Sequence, residues 1–403
     1  MVKSLRGMND ILSEDYEKFT YFINIATDIA QKYGFHFIET PILEETALFK
    51  RSVGESSDIV GKEMYQFTDK GKNDVCMRPE GTAGVVRAFI EKKLDKAGGT
   101  HRFFYHGSMF RYERPQKGRL RQFHQFGVES FGVDSVYEDA NMIMMVSDIL
   151  NVCGINYRLQ LNSLGDQNCM PQYRNSLVTF IESVEDEICQ DCKRRKDTNP
   201  IRVLDCKNEK CQSLYENAPK LINSLCDSCE NDFTKLKQIL TDNAIEYEID
   251  TNLVRGLDYY SKTAFEFVSD NIGSQSAIAG GGRYDRLVEF LDGRATPAVG
   301  FAMGIERLME LILMPQNKRN GYYIGAMDEN AIDLVVKLTH KKRLSEKVVC
   351  EFKARNLKNH LKGADKINAK FCCVIGTNEI KDGTIWVKDL ETKSEKVITL
   401  KDF

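Results

Sequence analysis

The chain has 403 residues, enough for two or three domains, and its apolar fraction of 42% is ordinary for a globular protein. No stretch of the sequence is apolar over a bilayer-spanning length, and residues 1–13 do not resemble a signal peptide. The net charge of −3 gives no sign of a nucleic-acid partner by itself. Composition therefore argues against a membrane protein and a secreted disulfide scaffold, and we expect a cytoplasmic enzyme with no membrane partner.

The N-terminal region predicts a helix followed by a strand. Residues 14–33 place apolar side chains at spacings of three and four, which is typical of an amphipathic helix, and Gly34 can end it. Residues 35–41 then have the composition of a strand that ends at Pro41.

Residues 77–82, which read MRPEGT, lie between a predicted strand and a predicted helix. Thr82 is a candidate N-cap of that helix. The Glu80 carboxylate and the Thr82 hydroxyl are suited to hold an ammonium group. The alternative is that Glu80 only stabilises the N-terminus of the helix.

Two strands are predicted at residues 102–113 and 122–131, joined by the polar, basic loop 114–121. Because side chains alternate along a strand, Gln125, Gly127 and Glu129 face the same side. Glycine leaves a gap between the two polar side chains. We therefore expect this face of the strand to form part of a binding site.

Residues 165–247 differ from their surroundings and predict a mainly helical insertion, in which six cysteines cluster between residues 189 and 229. The cysteines follow the pattern Cys-x2-Cys, Cys-x4-Cys, Cys-x2-Cys and are Cys189, Cys192, Cys206, Cys211, Cys226 and Cys229. Paired Cys-x2-Cys units can supply four thiolates to Zn²⁺, and Cys189, Cys192, Cys226 and Cys229 would be the natural set. Reduced structural thiols are the alternative, and the sequence leaves the question of zinc open.

Two polar runs are the most informative part of the chain. Residues 253–260 read LVRGLDYY, and residues 279–287 read AGGGRYDRL. Charges and phenols are costly to bury without partners, so neither run resembles an ordinary core strand. Arg255 beside Tyr259 and Tyr260 indicates a pocket for a small polar molecule that carries negative charge.

Residues 298–308 predict a strand, a turn and the start of a helix. Arg307 falls in the first helical turn, where the helix dipole disfavours an unpaired cation. An anion beside Arg307 would resolve this conflict. A salt bridge to Glu306 or Glu310 is the alternative.

The C-terminal region predicts strands at residues 322–325, 371–375, 384–389 and 396–400 with a basic helical region after the first, as in a small α/β domain. Residues 337–370 contain eleven Lys and Arg against three Asp and Glu, a local balance of +8. Such a segment can follow nucleic-acid phosphates, and a solvated helix face is the alternative.

Taken together, these segments resemble histidyl-tRNA synthetases over essentially the whole chain. The runs at 253–260 and 279–287 are similar to the two histidine-specific signatures of that family. Residues 14–41, 102–131 and 298–308 resemble motifs 1, 2 and 3 of class II aminoacyl-tRNA synthetases. The resemblance implies an α+β fold with a class II antiparallel-sheet catalytic domain at 1–320, a mainly helical insertion at 166–247 and an α/β anticodon-binding domain at 321–403. Motif 1 also implies a homodimer.

The resemblance further implies a two-step ligation of L-histidine to histidine tRNA. ATP and histidine would form histidyl-adenylate and pyrophosphate, and the histidyl group would then pass to the tRNA 3′ end. ATP is expected with Mg²⁺, which would bridge its β- and γ-phosphates. The sequence contains neither a Gly-x4-Gly-Lys-Ser/Thr loop nor a dinucleotide fingerprint, so arginines on a sheet surface would bind ATP.

Site residues follow from matching positions in the family motifs. Catalysis would rest on Arg255 and Arg111 at the α-phosphate, with Arg255 also at the substrate carboxylate, and no metal ligands are assigned among the protein's residues. The histidine-binding residues would be Glu80, Thr82, Gln125, Glu129, Tyr259 and Tyr260. The ATP-binding residues would be Arg111, Glu113, Arg119, Arg255 and Arg307. Arg121 would contact the tRNA acceptor end, next to Leu120, where many relatives have tyrosine.

Two other functions compete with this interpretation. A non-catalytic, histidyl-tRNA synthetase-like regulatory protein would keep the fold and lose part of the site. Because Arg111, Arg255 and Arg307 are all present, together with a C-terminal domain, the enzyme is favoured. A nucleotide-binding module without tRNA is disfavoured by the basic segment 337–370.

Overall fold

The computed structural model describes residues 2–54, 57, 59–198, 200–206, 208–253, 259–272, 277–315 and 318–403. The chain forms two compact units, Met1–Leu313 and Met314–Phe403. The helices of the first unit are α1 (Ser13–Lys32), α2 (Thr46–Val53), α3 (Thr82–Glu91), α4 (Leu94–Ala97), α5 (Val136–Val152), α6 (Met170–Ser183), α7 (Gln190–Thr198), α8 (Glu209–Tyr215), α9 (Asp227–Asp242), α10 (Leu287–Phe290) and α11 (Ile305–Leu311). Its strands are β1 (His36–Phe37), β2 (Leu43–Glu45), β3 (Tyr65–Thr68), β4 (Asp74–Met77), β5 (His101–Phe110), β6 (Gln122–Phe131), β7 (Arg158–Ser163), β8 (Glu248–Ile249), β9 (Ser261–Val268), β10 (Ala277–Arg283) and β11 (Ala298–Gly304).

The first unit is organised around one large sheet. Within the described ranges this sheet has eight strands, in the order β1-β5-β6-β11-β10-β9-β7-β8. The two edge strands β1 and β8 run parallel to their neighbours, and the inner pairs are antiparallel. A smaller antiparallel sheet has the order β2-β4-β3. The predicted α+β fold with an antiparallel-rich sheet is confirmed.

Helices α1 and α5 cover one face of the sheet at β6. Phe22 of α1 is buried and meets the Phe126 ring edge to face, with centroids 6.1 Å apart. The Ser130 hydroxyl on the same strand face donates to Glu138 of α5 at 2.7 Å. Residues Gln125, Gly127 and Glu129 therefore face the opposite side, as alternation along the strand predicted.

The end of α1 shows why the chain turns back onto the sheet. Gly34 has a φ of +81°, a conformation that side chains with a Cβ disfavour. Its N–H donates to Gln31 O, and the N–H of Phe35 donates to Ala30 O, both at 3.0 Å. These bonds satisfy carbonyls at the helix end. The strand predicted at 35–41 is shorter than expected, because only His36–Phe37 pairs with β5.

Residues between β7 and β8 form α6, α7, α8 and α9 with short 3-10 turns. Their apolar side chains make a separate buried core, which includes Tyr173, Leu177 and Ile181 of α6 together with several cysteines. Helix α9 packs against α5, which joins this segment to the sheet-bearing part of the same unit.

The second unit is a small α/β domain. Its helices are α12 (Ile332–Lys342), α13 (Leu357–Lys366) and α14 (Thr377–Asp382), and its strands are β12 (Tyr322–Ala326), β13 (Val348–Glu351), β14 (Phe371–Ile375), β15 (Thr384–Asp389) and β16 (Glu395–Thr399). The strand order is β13-β12-β14-β15-β16, with β12 parallel to both neighbours. Strand β13 interrupts the basic region that was predicted to be helical. It is short and flanked by charges, so it leaves little periodic signal.

None of the helices in the described part of the chain combines the length and apolar character that crossing a bilayer requires.

Candidate functional site

A cavity of about 240 Å³ lies against strands β6, β10 and β11 in the first unit. It brings together residues from the loop before α3, the segment between β5 and β6, the start of β9 and the start of α11. The predicted site residues that line it are Glu80, Thr82, Arg111, Glu113, Arg119, Gln125, Tyr259, Tyr260 and Arg307. Sequence positions up to 227 residues apart along the chain thus converge on one space. Glu129 and Arg121 are not in the lining.

Arg255 is outside the described residues, as is the rest of 254–258. The run 253–260 is therefore represented in the site by its two tyrosines. Tyr260 lines the cavity, and Tyr259 is buried behind it with the ring centroids 4.7 Å apart. Burial, together with the nearby Tyr260 and Glu80, raises the pKa of Tyr259 well above its usual value. Among the residues that the structure describes, the Tyr259 hydroxyl has no hydrogen-bond partner.

Glu80 closes the inner end of the cavity at the start of α3. Its carboxylate accepts from the backbone N–H groups of Thr82 at 2.6 Å and Ala83 at 2.9 Å. Complete burial raises its pKa in spite of these bonds. Thr82 is the first residue of α3 and not its N-cap, which is Gly81. Glu80 therefore satisfies the helix N–H groups and also presents a carboxyl to the cavity.

The Thr82 hydroxyl points away from its own helix and donates to Glu129 at 2.7 Å. Two phenols complete the surroundings of this carboxylate: Tyr105 donates at 3.3 Å, and Tyr284 makes a short bond. Burial raises the pKa of Glu129 to about 8, and these hydroxyl donors only partly offset it. Glu129 is thus a fully buried carboxyl beneath the cavity wall, and its protonated form predominates at neutral pH.

The space left by Gly127 was predicted to form part of a binding site, but it is occupied by a side chain of the protein. Tyr105 lies directly opposite Gly127 in the register between β5 and β6. A Cβ at Gly127 would overlap the Tyr105 ring, and so would a Cβ at Gly81. The two glycines therefore make room for a phenol that reaches Glu129, and not for a ligand. Glycine opposite an aromatic residue on a paired strand is the sequence signal that could have identified Tyr105.

Tyr284 is the second residue that the sequence interpretation did not assign. It follows the glycine run of β10 and is buried, with its hydroxyl on Glu129. Its neighbour Arg283 is structural: the guanidinium is buried against Asp139 and also donates to the backbone oxygens of Val133 and Ser135. The dense run 279–287 thus lines the cavity with Ala279 and Gly280, supplies the Tyr284 hydroxyl to Glu129 and places Arg283 in the core.

Three arginines, Arg111, Arg119 and Arg307, also line the cavity. The Arg111 Nε donates to Pro79 O at 2.9 Å, and its guanidinium lies 5.4 Å from the Phe123 ring centre. Arg111 and Glu113 follow the end of β5 and do not belong to it, since the strand stops at Phe110. Arg119 pairs with Glu113 at 3.3 Å.

Arg307 lies at the N-terminus of α11, and its guanidinium donates to two backbone oxygens of other segments. Its Nε donates to Gly118 O at 2.9 Å and its Nη1 to Ala277 O at 2.6 Å. Burial and the positive charges of Arg119 and Arg111 lower the pKa of Arg307. Three guanidinium groups around one cavity make it suitable for a polyanion, because an anion would relieve their repulsion.

The acidic neighbours of Arg307 have other partners. Glu306 accepts from the backbone N–H of His124 at 2.9 Å and contacts His124 Nδ1 at 2.7 Å. Glu310 lies 3.1 Å from Lys117 Nζ. Both carboxylates that were candidates for a salt bridge with Arg307 therefore contact other residues.

Arg121 lies at the edge of the loop and outside the cavity lining. Its guanidinium stacks on the exposed Tyr112 ring at 3.8 Å and its Nε donates to Glu113 O at 3.2 Å. Leu120 lines the cavity.

The four cysteines considered as one zinc set do not come together. Cys189 and Cys192 lie with Cys206 and Cys211, whereas Cys226 and Cys229 lie with Cys169 and Asp166. The grouping predicted from the two Cys-x2-Cys units is therefore wrong. Cys169 carried no signal in the sequence, since it lies 57 residues before Cys226 along the chain.

Comparison with known proteins covers the full chain. The sequence profile of the histidyl-tRNA synthetase family matches residues 7–308, and an anticodon-binding-domain profile matches residues 312–403. The chain is 78% identical over 398 residues to a histidine–tRNA ligase of Sulfurimonas denitrificans, covering 99% of each chain. It is 57% identical over 404 residues to a histidine–tRNA ligase of Campylobacter jejuni, covering 100% of this chain and 99% of the relative.

The fold is similar to the crystal structure of apo histidyl-tRNA synthetase from S. aureus, with a TM-score of 0.84 and 36% identity over 100% of this chain and 98% of that one. Family profile, full-length relatives and fold agree with the arginine- and tyrosine-lined cavity. The chain therefore belongs to the histidyl-tRNA synthetase family.

Proposed function

We propose that this protein ligates L-histidine to histidine tRNA, with both steps at the cavity in the first unit. The observation that carries the proposal is one cavity in which arginines and a histidine-binding set of Glu80, Thr82, Gln125 and Tyr260 meet. The proposal follows the family to which the chain belongs and its ligase relatives. A non-catalytic regulatory protein is not favoured, because such a protein would not need a polyanion site beside an amino-acid site.

In the first step, a carboxylate oxygen of histidine attacks the α-phosphorus of ATP, and the bond to pyrophosphate breaks. Two anions must approach each other, so cations around them lower the barrier. Arg111 would take this role, because it lines the cavity just after β5 and its Nε is anchored on Pro79 O. We assign Arg255 to the α-phosphate and the substrate carboxylate on the family motif alone.

The remaining ATP contacts belong to the residues around the loop between β5 and β6. Arg307 would bind the γ-phosphate, and Arg119 with Glu113 would fix the phosphates and adenine. Two carboxylates, Glu113 and Glu266, line the same cavity and offer the oxygen ligands that Mg²⁺ prefers. They would hold Mg²⁺ beside the phosphates, where the ion would neutralise charge on the leaving pyrophosphate.

Two carboxyl groups would recognise different parts of histidine, Glu80 the ammonium group and Glu129 the imidazole. Glu80, Thr82 and Gln125 would bind the ammonium group. The imidazole would lie against Tyr260, with Tyr259 behind it, over the wall beneath which Glu129 is buried, so contact with Glu129 would require the Thr82 hydroxyl to turn from this carboxyl to the ring. A carboxyl with a pKa of about 8 can accept from a ring N–H or donate to a bare ring nitrogen. Satisfying both ring nitrogens disfavours apolar analogues, which would leave buried polar groups unpaired.

In the second step, the terminal ribose hydroxyl of tRNA attacks the histidyl carbonyl and AMP leaves. Arg121, stacked on Tyr112 at the outer side of the loop, would contact the acceptor end. We assign residues 1–320 to a catalytic domain interrupted by an insertion at 166–247, and residues 321–403 to an anticodon-binding domain. In the second unit, Lys358, Lys362, Lys388 and Lys393 line one groove, which suits contact with tRNA phosphates.

A homodimer through motif 1 completes the proposal. The strand after α1 and the segment that follows it expose Phe37 at 49%, Ile42 at 45% and Leu43 at 49%. A second copy that covers this segment would remove these side chains from water. Leu43→Glu should convert a dimer to a monomer in light scattering coupled to gel filtration. A wild-type chain that is monomeric at micromolar concentration would contradict the assignment.

Histidine-dependent ATP–pyrophosphate exchange tests the function. Wild type should exchange with histidine and not with other amino acids. Arg111→Ala and Arg255→Ala should each lose about 10²- to 10³-fold in rate, as expected for groups that stabilise developing charge. Arg286→Ala is the matched control, since Arg286 is exposed, stacks on Phe290 and does not line the cavity. A folded wild type without exchange would refute the enzyme, and unchanged exchange in both variants would remove these arginines from its centre.

A further inference from the structure

Seven cysteines and one aspartate between residues 166 and 229 form two compact groups. The first group is Cys189, Cys192, Cys206 and Cys211, and the second is Asp166, Cys169, Cys226 and Cys229. Within each group, one ligand atom per residue lies within 4.8 Å of all the others. We propose that this chain binds two Zn²⁺ ions in its helical insertion, one held by four thiolates and one by three thiolates and the Asp166 carboxylate.

The sulfur spacing fits a tetrahedral ion. Zn–S bonds of about 2.3 Å in a tetrahedron place neighbouring sulfurs about 3.8 Å apart. The Sγ atoms of Cys189 and Cys206 are 3.7 Å apart. A disulfide requires about 2.05 Å, and these cysteines are free thiols in the structure. A polynuclear iron–sulfur cluster would hold its outer sulfurs farther apart, because several metal atoms would lie between them.

Backbone N–H groups point at the sulfurs as they do around thiolates that bind metals. In the first group, the N–H of Cys189 donates to Cys211 Sγ at 3.2 Å, and the N–H of Asn208 donates to Cys206 Sγ at 3.5 Å. In the second group, the N–H of Cys226 donates to Cys169 Sγ at 3.1 Å. Such bonds stabilise the anionic sulfur that a metal requires, and they orient the ligand.

In both groups, several of the ligands lie at the start of a helix. Cys189 immediately precedes α7, while Cys169 and Cys226 are the N-cap residues of α6 and α9. The positive ends of these helices therefore face sulfurs that must become negative. Each Cys-x2-Cys unit supplies one ligand before a helix and one in its first turn, an arrangement that converges two sulfurs on one point.

The small size of the surrounding core indicates that bound ions would stabilise the insertion. Among the residues that the structure describes, the buried core around the two groups contains thirteen residues, and five of them are cysteines of the two groups. A core this small is commonly supplemented by metal ions, since it excludes little apolar surface from water. Cysteines that served only as small apolar side chains would have no reason to bring four sulfurs together in one group and three sulfurs with a carboxylate in the other.

The second site is also coupled to the cavity. Beside Asp166, the backbone O of Gly165 accepts from the N–H of Lys262 at 2.7 Å, and the N–H of Leu164 donates to Lys262 O at 2.7 Å. Lys262 lies two residues after Tyr260 and reaches Asp232 of α9 at 3.3 Å. An ion bound by Asp166 and by the cysteines of α9 would fix both partners of Lys262. These partners are Gly165, which contacts its backbone, and Asp232, which contacts its side chain. Loss of the second ion should therefore weaken histidine binding more than loss of the first, a consequence that rests on the proposed function.

Metal content of the full-length protein, purified without chelator, is the primary test. Elemental mass spectrometry should find two zinc ions per chain and no iron. Cys206→Ser and Cys229→Ser should each leave one zinc, and the double variant none. Cys153→Ser and Cys372→Ser are matched controls, because both thiols are buried elsewhere and should leave two. A folded wild-type protein that holds no zinc and takes up none from added ZnCl₂, or that holds iron, would overturn the proposal.

Two measurements remain decisive if a cysteine variant fails to fold. Wild-type protein in which Co²⁺ replaces zinc should show the visible bands of tetrahedral thiolate coordination, and their absence would overturn the sites. Asp166→Asn keeps the side-chain oxygen that caps the N–H groups of Asn168 at 2.8 Å and Cys169 at 3.2 Å, but removes the charge. It should release one of the two ions to a chelator at least tenfold faster. An unchanged release would remove Asp166 from the ligand set. Because metal content is measured without tRNA, ATP or histidine, these results are independent of enzyme activity.

Discussion

Glu129→Gln should remove a large part of the pH dependence of stability. Glu129 is 1% exposed, and burial raises its pKa from 4.5 to about 8. Hydroxyls of Thr82, Tyr105 and Tyr284 donate to it, but they do not replace water completely. Glutamine has nearly the same shape and does not titrate, so the substitution isolates the proton of this carboxyl.

The sign and size of this pH dependence follow from the pKa values of Glu129 in the unfolded and the folded chain. In the unfolded chain the carboxyl ionises near pH 4.5, whereas in the folded chain it keeps its proton up to about pH 8. Between these values the folded state binds more protons, so its stability falls as pH rises. Each pH unit contributes about 1.4 kcal/mol. From pH 6 to above pH 8, Glu129 should therefore cost the folded state about 3 kcal/mol, and Glu129→Gln should abolish this loss.

Urea unfolding at pH 6 and pH 9 measures the effect. Far-UV circular dichroism follows the whole chain, while Trp386, the single tryptophan, lies in β15 and reports the second unit. The wild-type free energy of unfolding of the first unit should fall by about 3 kcal/mol more than that of Glu129→Gln. The transition seen by Trp386 should be the same in both proteins.

Glu138→Gln is the matched control. Burial also acts to raise the pKa of Glu138, but hydrogen bonds from Arg102 and Ser130 outweigh it and lower the pKa. Glu138 is therefore ionised throughout pH 6–9 in both states, and its substitution should change stability equally at the two pH values. If Glu129→Gln altered the pH dependence no more than Glu138→Gln does, the assignment of a protonated Glu129 would be refuted.

Three further substitutions test the packing of the site, the core and the second unit. Gly127→Ala introduces a methyl group into the Tyr105 ring, so we expect a loss of about 1–3 kcal/mol in unfolding free energy and strongly reduced ATP–pyrophosphate exchange. Arg283→Met leaves the buried Asp139 without its cation and should cost about 3–5 kcal/mol in urea unfolding. Lys362→Glu reverses a charge in the basic groove, so it should raise KM for tRNA and leave ATP–pyrophosphate exchange unchanged.

Each of these substitutions has a control in the same chain. Gly61→Ala should be tolerated, because an added Cβ there meets no atom within 4 Å. Arg158→Met removes exposed ion pairs and should change stability little. Lys401→Glu alters an exposed charge near the C-terminus that does not line the groove. Equal effects of a substitution and its control would contradict the local mechanism given for it.

The sequence by itself determined several of the elements and most of the charged and phenolic residues that line the cavity. Alternation and turn residues predicted β6 and β14 with the bounds found in the structure, and helix periodicity predicted α1 to within one residue at each end. These patterns are local, because they depend on which residues must be buried within one helix or strand. Polar residues in otherwise apolar strands marked the site for the same reason: burying them without partners is costly.

Only the tertiary structure decided which partners these residues have. Glu129 is held by Tyr105 of β5 and by Tyr284, which follows β10, and the gap at Gly127 is filled by Tyr105. The two Cys-x2-Cys units separate into different groups, one of which includes the distant Cys169. Strand register and helix packing bring such residues together, and neither leaves a periodic trace in the sequence around each residue. Composition and spacing thus predict which side chains need a partner, whereas long-range packing determines which partner each one meets.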